Sequence, residues 1–203
     1  MIAIIDYGLG NVRAFANVYK KLNIPAVIAA HAEDLKGATK IILPGVGSFD
    51  HAMQRFGNSG MRPVLEKMIF GDNISVMGIC VGMQMLADSS EEGNLPGLGW
   101  IRGKVKKIVP SVEYSVNIPH MGWNDVKPIK KGGLMNELES DARFYFLHSY
   151  YFENRNNEDL LAVTAYAGEF ACAVNSGNVY GVQFHPEKSH NWGIQLLKNF
   201  AEL

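Results

Sequence analysis

The sequence predicts an α/β fold with a mostly parallel central sheet flanked by helices and with an antiparallel or mixed extension. Through residue 88, short apolar runs typical of buried strands alternate with helix-like segments, which is the pattern of a parallel sheet. Residues 93–103 then form a glycine-rich connection. The short alternating segments that follow, without a long helix, favour antiparallel or mixed strands.

The composition is that of a soluble globular chain. With 203 residues, 47% of them apolar and 19% charged, we expect one domain over 1–203 with a full core. A net charge of -1 gives no electrostatic reason to bind nucleic acid or an anionic membrane. Because no apolar run could span a bilayer and residues 1–5 lack the basic lead of a signal peptide, we expect a cytoplasmic protein.

Most predicted elements follow from the period of the apolar residues. In chain order they are a strand over 1–6, a helix to about 22, strands over 26–30 and 40–43, helices over 49–56 and 61–70, a strand ending at 80 with its helix, a strand over 143–147 and a helix over 192–201. Parallel sheets bind ligands beyond the carboxyl ends of their strands. The glycine loops after the first and third strands and the cysteine should therefore meet at one edge.

Cys80 is the first candidate for chemistry. It lies between Gly78 and Gly82 at a strand-to-helix junction, the thiol version of a nucleophile elbow, where a sharp turn strains the central residue and needs small neighbours. The start of the following helix would favour the thiolate. The alternative is that Cys80 is a small buried apolar residue; Cys172 is the only other cysteine, and the pair agrees with a reducing compartment.

His185 and Glu187 complete a possible triad. They follow a second apolar strand and are two residues apart, so that extended backbone would place both on one face and let Glu187 orient the imidazole of His185. Cysteine, histidine and carboxylate supply a nucleophile, a base and an orienting group. For His120 and His148 a structural or substrate-contacting role is favoured over catalysis or metal binding, since no metal-ligand spacing is present; we expect no metal and no cofactor.

Six motifs spread over nearly the whole chain resemble the class I (triad-type) glutamine amidotransferase family, and within it the glutaminase subunits of histidine biosynthesis. The motifs are DYGLGN at 6–11, PGVGSF at 44–49, GICVGMQ at 78–84, PHMGWN at 119–124, HSY at 148–150 and QFHPEKS at 183–189. The resemblance implies a flavodoxin-like fold and hydrolysis of L-glutamine to glutamate. It also implies that ammonia is channelled to a separate cyclase subunit of barrel type, in a heterodimer that forms imidazole glycerol phosphate.

An oxyanion formed at the substrate needs two N–H donors. The backbone N–H of Val81 is placed to be one, because it directly follows the nucleophile. The other should come from the glycine-rich loop 44–47, and the resemblance assigns it to a switch of the peptide between Gly45 and Val46.

Further site residues are expected to bind substrate or partner. Gln84, one helical turn after Cys80, faces the substrate or is a solvated glutamine. Substrate contacts are also assigned to Gly47 and, on the resemblance, to Ser149 and Tyr150. Candidate partner contacts, of residue types useful in interfaces, are Trp123 and Lys188, with a core tryptophan and a solvated lysine as the alternatives.

Two alternatives concern the overall function. Residues 88–103 and 190–192 are similar to a paralogous group of glutaminase subunits that supply ammonia for amidating a surface-polysaccharide amino sugar. A cysteine peptidase or hydrolase of the same fold would use the same three residues, but it would be active alone and need an open cleft. A non-catalytic binding module would leave the three residues as an accident.

Overall fold

Five parallel strands form the centre of one sheet in the computed structural model, which describes residues 1–110 and 116–203. The first part of the chain contains β1 (Ile2–Ile5), α1 (Val12–Lys21), β2 (Ala26–Ala29), β3 (Lys40–Gly45), α2 (Phe49–Asn58), α3 (Arg62–Glu66), β4 (Ser75–Cys80) and α4 (Val81–Met85). The remainder contains β5 (Ser89–Ser90), β6 (Gly103–Lys107), β7 (His120–Asp125), β8 (Lys127–Pro128), β9 (Arg143–His148), β10 (Tyr150–Asn154), β11 (Leu160–Ala165), β12 (Glu169–Ser176), β13 (Val179–Val182) and α5 (His190–Glu202).

The parallel strands lie in the order β2-β1-β3-β4-β13. Except in the edge strand β2, their buried residues are nearly continuous, as expected of strands covered on both faces; β1 and all but the first residue of β3 are buried throughout. Two helix pairs, α1 with α5 and α2 with α4, pack on this sheet. The prediction of an α/β fold with a mostly parallel centre is confirmed.

The extension is mixed, one of the two arrangements that the sequence indicated: its pairs are antiparallel except that β5 pairs parallel with β6. Beside β13 lies β12, followed by β10 and β6, and β11 also pairs with β12. A separate two-stranded antiparallel sheet joins β7 to β9 and sets His120 opposite His148. Part of the predicted extension, residues 111–115, lies outside the described residues.

Two helices differ from their predictions. The helix expected over 61–70 is the short α3 followed by one π-helical turn, Lys67–Gly71, which buries Ile69 but leaves Phe70 exposed. The helix after Cys80 is only five residues long and wholly buried. Its macrodipole is therefore smaller than that of a long helix, and any thiolate stabilisation depends more on local N–H groups. Within the described residues, no helix has the length and apolar character required to cross a bilayer.

The junction of β4 and α4 leads to a stability prediction. A Cβ added to Gly82 would overlap the carbonyl oxygen of Leu43 on β3, whereas one added to Gly57 on α2 meets open space. We expect Gly82→Ala to destabilise the fold by about 1–3 kcal/mol through overpacking. The control Gly57→Ala should be neutral or stabilising by up to about 1 kcal/mol, because alanine favours helix.

Urea unfolding of the two variants and the parent chain measures both effects. Equal stability of Gly82→Ala and the parent would show that β3 and α4 can separate without cost.

Candidate active site

Cys80 ends β4 in a strained conformation. Its φ of 55° and ψ of -114° lie where residues with a Cβ are rarely found. Gly78 and Gly82 have no room for a side chain: a Cβ on Gly78 would contact the Gly82 backbone, and one on Gly82 would contact Leu43. The geometry predicted for a glycine-flanked elbow is therefore present.

Two polar groups contact the thiol. The carbonyl oxygen of Leu147 on β9 is 3.9 Å from the Cys80 sulfur, and the side-chain nitrogen of Gln183 is 3.8 Å away. Gln183 is completely buried, and its amide donates toward the sulfur. Sequence reasoning did not assign a role to Gln183; the available signal was its place in the QFHPEKS motif, two residues before His185.

Glu187 holds the ring of His185. Imidazole Nδ1 lies 2.9 Å from Glu187 Oε1, and both side chains are almost fully buried. Extended backbone, the reason given for this contact from the sequence, is wrong, because β13 ends at Val182 and Glu187 lies in a 3₁₀ turn, Pro186–Lys188. Proline suits the start of such a turn since it fixes φ and has no N–H to contribute to a strand. The turn folds Glu187 back onto the imidazole.

The charge state of His185 follows from these contacts. Burial alone lowers its pKa, but hydrogen bonds with Cys80 and Glu187, together with the negative charge on each, raise it to about 10. Nδ1 is occupied by Glu187, which leaves Nε2 for the thiol. The arrangement therefore favours the charged imidazolium of His185 beside the sulfur of Cys80.

A pocket of about 290 Å³ opens at the sulfur. Its wall contains nine residues predicted for the site and four others. The predicted residues are Val46, Gly47, Cys80, Val81, Gln84, Ser149, Tyr150, His185 and Lys188, and the additional ones are Glu92, Pro119, Leu147 and His148. Of the remaining predicted residues, Glu187 lies behind His185 and Gly45 lies beside Cys80, while Trp123 is on the outer surface.

The glycine loop lies beside the cysteine turn. In the parallel ladder of β3 and β4, Gly45 is the register partner of Cys80. A Cβ on Gly45 would overlap the backbone of Gly82, so this end of the loop is closely packed. Val46 is 40% exposed, and Gly47, with φ of +87°, has open space around it. The peptide between Gly45 and Val46 thus joins a packed segment to a free one.

Gln84 is neither solvated nor wholly free to bind substrate. It is buried, and its side-chain nitrogen donates to the Tyr150 carbonyl and to Gln183 Oε1, both at 3.1 Å. Only its amide oxygen is left for a ligand. Gln84 therefore connects α4, the strand segment before His185, and the start of β10.

Glu92 was missed from the sequence because an acidic pair before a glycine is typical of a solvated loop. In the structure its carboxylate accepts the Phe49 N–H at 2.8 Å and forms part of the pocket wall. A carboxylate at this place can bind the ammonium group of an amino acid.

His120 and His148 form a neutral pair. Burial lowers their pKa values to about 4 and 3 respectively. The side-chain nitrogen of Asn124 can only donate, so it donates a hydrogen bond to His120 Nε2 at 3.1 Å. His120 Nδ1 therefore carries the ring proton and donates to His148 Nε2 at 2.9 Å. His148 Nδ1 in turn donates to the Tyr150 carbonyl at 2.7 Å. Across the described ranges, no three potential ligand side chains converge as a metal would require.

Fold and site together define an α/β enzyme with a cysteine at a strand-to-helix turn and a histidine–carboxylate pair beside it. The family model described as glutamine amidotransferase class-I matches residues 3–203. Relatives named imidazole glycerol phosphate synthase subunit HisH are 61% identical in Bdellovibrio bacteriovorus and 53% in Leptospira borgpetersenii, each covering both chains completely. A crystal structure of a glutamine amidotransferase superposes with a TM-score of 0.75 at 19% identity, covering 100% of this chain and 99% of the other.

The chain belongs to the class I glutamine amidotransferase family. It is a glutamine amidotransferase, an enzyme whose family typically carries a Cys-His-Glu triad. The resemblance stated from the six motifs is confirmed.

Glu187→Gln tests the orienting role of this carboxylate. The amide keeps the size of the side chain but loses the negative charge that stabilises the imidazolium, so we expect kcat for glutamine to fall by about 100-fold or more with little change in KM. The contrasting variant Glu92→Gln, in the pocket wall, should mainly raise KM. Steady-state glutaminase kinetics of both variants measure the difference. If Glu187→Gln raised only KM, Glu187 would be a binding residue.

Proposed function

We propose that this chain is the glutaminase subunit of an imidazole glycerol phosphate synthase. It hydrolyses L-glutamine to glutamate and passes ammonia to a separate cyclase subunit of histidine biosynthesis. The full-length identity of 61% to a relative carrying that name is the observation that supports this proposal most strongly. The names of these relatives also favour the histidine pathway over a surface-sugar acceptor.

The whole chain is proposed to act as one domain. One hydrophobic core cluster includes buried residues from the first strand, Ile2, to the last helix, Phe200, and β13 near the chain end fills the sheet beside β4. Neither half would retain a complete sheet without the other.

In the proposed mechanism, the sulfur of Cys80 attacks the side-chain amide carbon of glutamine, and the amide oxygen becomes an oxyanion. The imidazolium of His185 donates its proton to the leaving nitrogen, the C–N bond breaks, and ammonia departs. A water then attacks the thioester while His185 takes its proton. The C–S bond breaks, glutamate is released, and Cys80 recovers its starting state with Glu187 holding the same imidazole tautomer throughout.

The oxyanion is proposed to be bound by two backbone N–H groups. Val81 supplies one, since it is the residue after the nucleophile and lines the pocket. Val46 supplies the other when the peptide that joins it to Gly45 turns its N–H toward the pocket. Such donors are worth about 10²–10³ in rate, so the orientation of this peptide could control turnover.

The amino-acid end of glutamine is proposed to lie away from Cys80. Gly47, Gln84, Ser149 and Tyr150 all line the pocket and would contact that end of the substrate. Glu92 offers a negative charge for the α-ammonium group. The pocket volume of about 290 Å³ suits a single small molecule better than the extended substrate of a peptidase.

The partner surface is proposed to lie on the β7–β9 sheet. Trp123 is 41% exposed, so it is not a core tryptophan, and it stacks on His190 at 5.4 Å. Met121 and Leu147 are also exposed, and Leu147 lines the pocket as well. Lys188 lies over the ring of Tyr145 at the same mouth. Apolar residues around a pocket opening would exclude water from ammonia passing to a docked subunit.

Cys80→Ala tests the supply of ammonia. We expect it to abolish synthesis from glutamine by the complex with the cyclase subunit and to leave synthesis from ammonium salts unchanged, because only the glutaminase step needs the thiol. Assays with each nitrogen source, followed by product formation, measure both. Residual glutamine-dependent turnover would remove Cys80 from the nucleophile role, and the matched variant Cys172→Ala should behave as the parent, since Cys172 is fully buried in the core.

Partner-dependent activation is expected to act through the loop 44–47. We expect the isolated chain to be nearly silent and the complex, with acceptor bound, to have a kcat about 10²–10³ higher. Proline at Gly45 is unsuitable for a test because Gly45 packs on the Gly82 backbone. Val46→Pro instead removes the proposed donor N–H at an exposed site and should abolish the stimulation, whereas Val46→Ala keeps that N–H and should retain most of it.

Glutaminase rates of the chain alone and in the complex decide between the alternatives. Full activity without any partner would contradict the subunit proposal and favour a free-standing hydrolase. Activity on peptides would favour a peptidase.

A further inference from the structure

Tyr7 has no part in the chemistry above, yet its hydroxyl reaches the glycine loop. The residue follows β1 and is only 4% exposed. Its hydroxyl donates to the carbonyl oxygen of Pro44 at 2.7 Å. Burial, reinforced by the charge of Cys80, raises the pKa of Tyr7, so the phenol stays protonated and able to donate.

Neighbouring groups hold Tyr7 in place. Arg55 Nε donates to the Tyr7 carbonyl at 3.2 Å, and the ring of Phe56 meets the Tyr7 ring edge-on with centroids 5.6 Å apart. A tyrosine fixed at its backbone, ring and hydroxyl offers a rigid hydrogen-bond donor rather than an adaptable one.

On the β1 side of β3, Pro44 has no strand neighbour, and the Tyr7 hydroxyl supplies a donor there. The ladder between β1 and β3 stops at the pair Ile4–Ile42, two residues before Pro44. The loop after β1 also packs tightly on Pro44, because a Cβ added to Gly10 would lie 2.7 Å from Pro44 Cβ. The residues after β1 thus extend the support that β1 gives to β3, through a side-chain hydrogen bond and close packing.

The support ends where the proposed switch begins. Pro44 is held by Tyr7 and Gly45 packs on Gly82, but Val46 is exposed and Gly47 has open space around it. The peptide between Gly45 and Val46 can therefore rotate while Pro44 stays fixed. If Pro44 moved, the N–H of Val46 would no longer reach a single position in the pocket.

We infer that Tyr7 is a positioning residue for glutamine hydrolysis: its buried hydroxyl fixes the Pro44 carbonyl, so that the loop moves only beyond Gly45 and presents the Val46 N–H at the oxyanion. This inference rests on the proposed glutaminase function. Tyr7 touches neither substrate nor the reacting atoms in this role, and it acts through Pro44.

Tyr7→Phe removes the hydroxyl and keeps the ring. In the complex with the cyclase subunit and acceptor, we expect kcat for glutamine hydrolysis to fall by about 10-fold or more, with KM within about twofold of the parent value, because a misplaced oxyanion donor lowers turnover more than binding. Synthesis from ammonium salts should be unchanged. The matched control is Tyr19→Phe, which removes another buried hydroxyl that has no hydrogen-bond partner among the described residues and should change kcat less than twofold.

Alkylation by iodoacetamide distinguishes an effect on the loop from an effect on the thiol, because the reaction needs a reactive Cys80 but no oxyanion donor. We expect Tyr7→Phe to be alkylated at the parent rate. A parallel loss of alkylation would mean that Tyr7 acts through the charge of Cys80, and an unchanged kcat or an equal loss of ammonium-dependent synthesis would also overturn the inference. If the parent complex itself made no product from glutamine, the proposed function would fail and the inference with it; a working parent and an unaffected Tyr7→Phe would remove the inference alone.

Discussion

The close approach of two backbones, at the end of β3 and the start of α4, is the constraint on which the site depends. Gly82 contacts the Leu43 carbonyl and Gly45 contacts Gly82, so neither position has room for a Cβ. This contact forces α4 to begin immediately after β4 and holds Cys80 at positive φ, with its sulfur beside the loop that follows β3. Cys80 and the loop 44–47 are adjacent because the same packing places both.

A hydrogen-bond network behind the pocket wall has defined proton positions. The Asn124 amide fixes His120 as an acceptor at Nε2, and the chain of donors then runs through His148 to the carbonyl of Tyr150, which also accepts from Gln84. Because burial keeps both histidines neutral, this network can orient the backbone at Tyr150 without adding charge to the site. The charge in the site is concentrated instead on His185 and its partners.

Rigid and free segments meet at the pocket mouth. The parallel strands and α4 are buried, and Cys80 and His185 stand at their ends, so these groups are poor candidates for movement. Val46 and Gly47 are loosely surrounded, and Leu147, an exposed residue of the β7–β9 sheet, lines the same pocket. A subunit that docks there would contact the one part of the site whose backbone can change without breaking the core.

Apolar periodicity predicted the α/β order, glycines at fixed spacing predicted the strained cysteine turn, and the six motifs identified the family. The same patterns placed Cys80 and the two glycine loops at one sheet edge, since parallel strands end together, but they did not predict that the strand before His185 is also parallel. The folded chain was needed to show that a 3₁₀ turn, rather than extended backbone, folds Glu187 onto His185, and that Gln183, Glu92 and Tyr7 reach the site. Gln183 is 103 positions from Cys80 in the sequence, Glu92 is 43 from Phe49 and Tyr7 is 37 from Pro44, and no local pattern records a contact between such distant segments.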